Sequence, residues 1–430
     1  MMPNRNQTNR NKGIIAALDI GSQKTVAVIA RAEIGGAHVL GYGISASAGI
    51  KNGNIIEMEP VSVSILDAID QAEKMADCTI DSVLVNIPGN LLSSRLVVQA
   101  RPLASHYVTD EDINQILTAS GKTNEQEDWQ VVQMIPTAWA IDGSRGIRDP
   151  RGMHGEILAA HMNIISAPQN AIKTLDACVA RCHLDIQAMV PAPFAAGIAS
   201  VLDDERTVGA IAIDMGAGVT SAAVFINDAL VHVASVPLGG RDITIDIATG
   251  ISTSIVLAEE LKLLYGEAER PLIRPEFEQY DDTPAREEFI NAPCLGEDRP
   301  REANAVSRSW LTGIIQLRIE EIFEKLRDEL IAAGFYRAAG RRVVLSGGGS
   351  NLPGVRDVAS RIFLEKSVRL GRPLSLRAAP EILIEPQFTV IAGLIAYGMR
   401  PLGARVSKPA VAQNLPNFFG NFGQWVRERF

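Results

Sequence analysis

Two short stretches hold residues of the types, and at the spacing, that chemistry needs. In Ile14–Arg31, IIAALDIGSQKTVAVIAR, an apolar run ends on Asp19, Gly21 and Ser22 follow at once, and Lys24 opens a second apolar run. A carboxylate at a strand end orients a hydrated Mg²⁺. Backbone N–H groups of a Gly/Ser turn hold phosphate oxygens, because no bulky side chain blocks the approach. The pattern returns in Thr207–Asn227, TVGAIAIDMGAGVTSAAVFIN, where Asp214, Gly216, Ala217 and Gly218 take the places of Asp19, Gly21 and its turn. One such bend is a weak signal; two, far apart, imply a duplicated fold with a phosphate chain clamped between the halves. A third glycine run, Gly347, Gly348 and Gly349, ends a strand in Arg341–Arg361 (RRVVLSGGGSNLPGVRDVASR) and precedes a helix. It lets a flat ring lie close to backbone.

The elements that must position these bends follow from periodicity. Both bends are the turns of β-hairpins, each followed by a third strand, at His38–Ile44 and Leu230–Pro237. Val61–Asp77 has helical spacing, and Ser82–Ile87 is an apolar strand stopped by Pro88 and Gly89. Strands alternating with helices in this way describe helix-covered sheets. Leu91–Asn163 changes character: strands at Ser94–Gln99, Gln130–Ile135 and Ala138–Ile141, and one helix beginning at Thr109 or Asp110, where Thr109 and Asp112 resemble a capping box. We read it as a small α+β insertion. Helices are expected at Ala167–Cys182, Phe194–Leu202, Ile243–Ala248, Ser252–Tyr265, Trp310–Ala333 and Phe388–Arg400. Gly266–Asn304 is polar and proline-bearing, a subdomain with exposed surface.

Composition narrows the class. The 430 residues are 47% hydrophobic and 21% charged, which suits a globular chain with large cores, and the net charge of −9 argues against nucleic acid as a partner. Four cysteines provide no disulfide framework. Cys178, Cys182 and His183 have the types of a metal cluster, but a C-x₃-C pair on a helix with no second pair reads as core packing. The polar N-terminus, MMPNRNQTNRNK, lacks the apolar run of a secretory signal, and no stretch approaches the ~20 apolar residues of a membrane span.

The C-terminus is a separate device. After a linker over 401–416, Asn417–Phe430 reads NFFGNFGQWVRERF. At about 100° per residue, Phe418, Phe419, Phe422, Trp425, Val426 and Phe430 fall within roughly 140° of one another. An aromatic amphipathic helix of this kind lies in a membrane interface, weakly as a single copy and strongly when several are tethered together.

Three motifs in order, ALDIGSQKT, AIDMGAGVTSAAVF and VVLSGGGSNLPGV, resemble the superfamily of actin, sugar kinases and heat-shock-chaperone ATPases. Within it the chain is similar to the FtsA family of bacterial cell-division proteins, from Gly13 to Phe430. The insertion after Pro88-Gly89, the PLGGRDIT turn and the amphipathic end add to the likeness. The resemblance implies an α/β, actin-like duplicated fold in which two halves flank a nucleotide cleft, with an FtsA-type inserted subdomain. The divisions would be a tail at 1–12; a first half at 13–87, 164–206 and 375–400; the insert at 88–163; a second half at 207–250 and 311–374 with an upper subdomain at 251–310; the linker; and the helix at 417–430. It implies ATP between the halves, with Gly21, Ser22 and Lys24 meeting the β- and γ-phosphates from one side and Gly216, Ala217 and Gly218 from the other. Asp19 and Asp214 would hold Mg²⁺ through water, and Gly347, Gly348, Gly349 and Asn351 would border the adenosine. Glu259 and Lys262 would face ribose and adenine, with Arg318 and Glu321 as secondary candidates. The implied role is a filament-forming adaptor at the cytoplasmic face of the inner membrane, at the division site. Its partners would be the FtsZ C-terminal peptide, docked on the subdomain around 266–310, itself, lipid and later division proteins.

One departure bears on mechanism. Related ATPases often place Glu-Pro before Ala-Ala between the phosphate loops; here the run is Ala192-Pro193-Phe194-Ala195-Ala196. Ala192 cannot orient an attacking water, and losing such a group costs orders of magnitude in rate. ATP binding with slow or negligible hydrolysis is expected. The competing readings are a small-molecule kinase of the same superfamily, an actin-like ATPase of a pilus or secretion apparatus, and a chaperone ATPase, which would need a further substrate-binding domain.

Overall fold

A computed structural model describes residues 13–123, 128–269, 289–292, 304–374 and 376–399. The tail expected at 1–12, most of the subdomain expected around 266–310, the linker, and the segment bearing Phe418, Phe419, Phe422, Trp425, Val426 and Phe430 lie outside these residues.

Two sheets repeat one plan. In the first, the strand Ile14–Ile20 pairs antiparallel with Lys24–Glu33, which pairs with Gly36–Ala46. On its other side Ile14–Ile20 runs parallel to Ser82–Ile87, and that strand runs parallel to Asp185–Pro191. In the second, Ala210–Met215, Thr220–Ile226 and Ala229–Val236 form the same antiparallel meander, with Arg342–Ser346 and Ser367–Leu370 parallel on the far side. The registers match: Asp19 stands opposite Val26, and Asp214 opposite Ser221. The first sheet is longer by one short strand, Leu376–Arg377, beside Gly36–Ala46. Strands buried on both faces need near-continuous apolar sequence, which Ala16–Leu18, Val26–Ala30 and Ala210–Ile213 provide at 0–7% exposure.

Two helices fill the layer between the sheets. Ala192–Ser200 and Thr389–Met399 cross where Gly393 meets the backbone of Ala195, so closely that no Cβ fits. Gly197 seats Phe225 of the second sheet, and Gly398 seats Ile15 and Leu84 of the first. Outside the second sheet, the long helix Arg308–Ala332 buries Leu311, Ile315, Ile319, Ile322, Phe323, Leu326 and Leu330, each contributing roughly 1.5–3 kcal/mol relative to exposure.

The insert is a four-stranded antiparallel sheet with the helix Asp110–Thr123 on one face. Its capping box forms: Asp112 Oδ2 accepts from the Thr109 N–H at 3.0 Å, and Thr109 Oγ1 from the Asp112 N–H at 3.3 Å. The strands expected at Gln130–Ile135 and Ala138–Ile141 are one strand, Trp129–Ile141, in which Pro136 sits at a register shift. A proline is tolerated there because the irregularity needs no ladder N–H. The helix expected from Ser252 begins at Ile255, since Ser254 Oγ caps it by accepting from the Leu257 N–H. Cys178 and Cys182 are buried in the first half, and burial pushes the Cys182 thiol up to about 11. Among the described residues no helix is long and apolar enough to cross a membrane.

Candidate functional site

The two hairpin turns have the same geometry. Gly21 N–H donates to Lys24 O at 3.1 Å and Gly216 N–H to Val219 O at 2.9 Å. They converge on one open cleft, lined by Asp19, Gly21, Ser22 and Lys24 from the first half and Asp214, Gly216, Ala217 and Gly218 from the second. A Cβ on Gly218 would lie 2.8 Å from Ser22 Oγ, so the two turns touch.

The carboxylates share a poorly solvated floor. Burial pushes Asp19 up to about 6. Burial, and then the charge of Asp19, push Asp214 up to about 7. Lys24 opposes both shifts, and its own ammonium is held down to about 8 by desolvation, against the pull of Asp19, Glu385 and Asp214. Lys24 Nζ donates to Gln387 Oε1 at 2.8 Å and stands 3.7 Å from the centre of the Phe388 ring. Two carboxylates that repel each other out of bulk water favour a cation between them. Among the described residues no group of three or more His, Cys, Asp or Glu side chains could hold a metal. A two-carboxylate donor set fits Mg²⁺ carried in with phosphate oxygens, not an all-protein metal cage.

The remaining expected residues divide into two groups. Gly347 and Gly348 line the cleft. Gly347 has φ +82°, and a Cβ there would lie 2.5 Å from Asp214 Oδ1, so only glycine lets that carboxylate seat. Gly349 lies off the cleft lining, where its missing side chain makes room for Met215, and Asn351 is exposed at the end of the same turn. Glu259 and Lys262 stand behind the second turn. Lys262 Nζ donates to Gly240 O at 2.9 Å, Thr244 Oγ1 at 2.8 Å and Glu259 Oε2 at 2.7 Å. Glu259 also accepts from Gln23 of the first half at 3.5 Å. The pair braces the helix Gly240–Ile251, whose N-terminus is anchored on the turn by the bond from Arg241 N–H to Ala217 O, 2.7 Å. Asp242 caps that helix, accepting from the Gly239 N–H at 2.7 Å. Arg318 is committed to Asp246 and Glu321.

Several lining residues escaped the reading of the sequence. Asn86 Oδ1 accepts from Ile20 N–H at 2.8 Å and fixes the strand end beyond Asp19. Gln387 anchors Lys24, and Gly53 and Ser221 complete the walls. The Asn52-Gly53 dipeptide is a strong two-residue hairpin signal that could have flagged the first wall. Gln387 and Asn86 carry no comparable mark.

Two like sheets, each presenting an Asp and a glycine turn to a shared cleft, with paired helices between them, define an actin-like fold. Solved structures agree: the PilM–PilN type IV pilus biogenesis complex (TM-score 0.63, 16% identity, 90% of this chain and 99% of that one) and MreB5 of Spiroplasma citri bound to ADP (TM-score 0.52, 14% identity, 89% and 95%). The model of the family described as cell division protein FtsA matches residues 211–393, and that of the SHS2 domain inserted in FtsA matches residues 89–166. Cell division protein FtsA of Rhizobium meliloti is 36% identical over 98% of this chain and 96% of its own length. That of Agrobacterium fabrum is 35% identical over 98% and 96%, and that of Escherichia coli K12 27% over 98% and 99%. The chain belongs to the FtsA family of cell-division proteins.

Proposed function

We propose that the chain is an ATP-binding, actin-like division protein. It polymerises on the inner membrane, anchors the FtsZ ring there through its C-terminal amphipathic segment, and recruits later division proteins. The observation that supports this reading best is the convergence of Asp19, Asp214 and Lys24 with two glycine turns in a single cleft. When bound, Mg²⁺ would supply positive charge between the phosphates and the two carboxylates. The chain's own part is to orient: Gly21 and Gly216, whose N–H groups close the turns, keep the approach open, Ser22, Ala217 and Gly218 offer backbone and hydroxyl donors, and Lys24 a cation. Gly347 and Gly348 line the side assigned to adenosine, with Gly349 and Asn351 behind them in the same turn. Ala192 lies on the lining, 6% exposed, and offers an attacking water no base or acceptor side chain. Hydrolysis is therefore slow or negligible.

The membrane part rests on Phe418, Phe419, Phe422, Trp425, Val426 and Phe430. One experiment tests the assembly: electron microscopy of the full chain on lipid monolayers with Mg²⁺ and ATP, beside a chain lacking Asn417–Phe430. Filaments on lipid that vanish with the deletion are expected. Undiminished lipid binding by the shortened chain refutes the anchor, and turnover of several ATP per second by the pure protein refutes the slow-hydrolysis reading.

A further inference from the structure

We propose that the Asn52–Gly53 turn is a third phosphate-side element, which orients Ser22 as a donor and latches the second half over a bound nucleoside triphosphate. This rests on the nucleotide reading above.

The turn is built for one position. Ile50–Lys51 and Asn54–Ile55 pair antiparallel through a two-residue loop, with φ 46° at Asn52 and 74° at Gly53. Successive positive φ values are the I′ geometry that Asn-Gly adopts most readily. The tip reaches the place where the two phosphate-facing turns meet. Gly53 lines the cleft, and its N–H donates to Ser22 Oγ at 3.1 Å. A serine hydroxyl has one proton and two lone pairs. Accepting from Gly53 leaves that proton free to point at an anion seated between the turns.

The same tip touches the second half. A Cβ on Gly218 would lie 2.9 Å from Asn52 Cα, and Asn52 Nδ2 donates to Pro237 O at 3.4 Å, just before Gly239 and Gly240. From behind, Asn90 Nδ2 holds Asn52 O at 2.9 Å. Asn90 Oδ1 is buried without a hydrogen-bond partner among the described residues, and a Cβ on Gly53 would lie 2.5 Å from it. The tip is thus wedged between one half and the other, with its N–H on a residue assigned to the β- and γ-phosphates. A triphosphate that draws the turns together shortens the long Asn52–Pro237 contact; a diphosphate leaves that contact as it is.

The test is nucleotide release. A fluorescent ATP analogue and its ADP counterpart are each loaded with Mg²⁺ on the full chain, and dissociation is followed by stopped flow. Asn52→Gly keeps the positive-φ turn and removes only the bond to Pro237. The loss of one hydrogen bond predicts ATP release faster by about three- to tenfold, with ADP release changed less than about twofold. The nucleotide-free melting temperature should move by less than about 2 °C. Gly53→Ala, strained at φ +74° and clashing with Asn90, should act in the same direction and more strongly. If it fails to fold, Asn52→Gly carries the test alone. Unchanged ATP release, or equal acceleration for ATP and ADP, overturns the latch while leaving the nucleotide reading intact. A wild-type chain that binds no ATP overturns both.

Discussion

Replacing Asp214 with Asn should make the nucleotide-free protein more stable while weakening its hold on Mg²⁺–ATP. Asp214 is held at about 7 by burial and by the charge of Asp19. A carboxyl whose pKa rises on folding binds its proton more tightly in the native than in the unfolded state. Stability from this group is therefore greatest below about pH 4 and is lost as pH rises through the folded value. The shift from 3.8 to about 7 corresponds to an upper bound of roughly 4 kcal/mol at 1.36 kcal/mol per unit. Water entering the open cleft screens part of that, so about 1–3 kcal/mol is the working figure. Asn keeps the shape and discards the charge. The variant should gain roughly this amount at pH 8 and about a third of it at pH 5, where folded Asp214 is protonated while the unfolded chain's carboxyl is still ionised. Denaturant melts of wild type and variant at both pH values read the difference directly, and titration with Mg²⁺–ATP reads the affinity. A variant less stable than wild type at pH 8, or equally stabilised at both pH values, refutes the claim that these carboxylates are an unmet charge awaiting a cation.

His232 works in the opposite sense. It stacks on Phe335 at 4.6 Å, and burial holds its imidazole down to about 4. The unfolded chain takes up a proton that the folded one refuses, so stability falls as pH drops from about 6.5 to 4, by roughly 1–3 kcal/mol after allowing for partial exposure; in His232→Phe that part of the acid loss should disappear from parallel melts. Gly239→Ala would put a Cβ 2.7 Å from Ala217 O; the carbonyl cannot yield without moving the turn, so ATP affinity should fall at least about tenfold, with roughly 1–3 kcal/mol of destabilisation, and calorimetric binding within twofold of wild type would contradict it. Gly313→Ala is the contrasting case, on a helix where a Cβ meets nothing within 4 Å; it should raise stability by about 0.5–1 kcal/mol, seen as a later denaturant midpoint with unchanged ATP binding.

The duplicated hairpins were legible because their signals are local. An apolar run, an Asp at its end and a glycine turn lie within a few residues, and the second copy repeats the spacing of the first. The capping box at Thr109 and the apolar stripe of Arg308–Ala332 are local in the same way. What escaped was set by contacts between distant positions. Lys24 and Gln387 are 363 residues apart, and nothing near Gln387 marks it as the partner of a cleft lysine. The resemblance set Glu259 and Lys262 toward ribose and adenine, yet nothing local could say that Thr244 and Gly240 O would engage their polar ends. Pro136 read as a strand break because a proline usually is one; the register shift that accommodates it depends on the neighbouring strand Ile157–Pro168.

How the halves are fastened explains why the cleft's contents should govern its closure. Away from the cleft the ties are strong. Glu205, in the short helix Asp203–Val208 that leads into the second sheet, pairs with both Arg369 and Arg342, and Arg369 also donates to Ser200 O at 2.9 Å. The insert is fastened as well: Asn163, fully buried, donates to Leu230 O at 3.2 Å and accepts from Ser94 Oγ at 2.8 Å. Arg342 and Leu230 lie at the ends of their strands remote from the cleft, which Gly347 lines just past Ser346 and Ser221 lines on the strand paired with Ala229–Val236. At the mouth the contacts of Asn52 with Pro237 at 3.4 Å and of Gln23 with Glu259 at 3.5 Å are long, while beside Asp214 the Gly347 N–H donates to Pro386 O at 2.9 Å. Each is worth at most about 0.5–1.5 kcal/mol, and the repulsion between Asp19 and Asp214 works against them. An arrangement clamped at one end and lightly held at the other predicts opening by hinging. On the nucleotide reading proposed above, a ligand that neutralises the two carboxylates and bonds to both turns would set the position of the second half relative to the first.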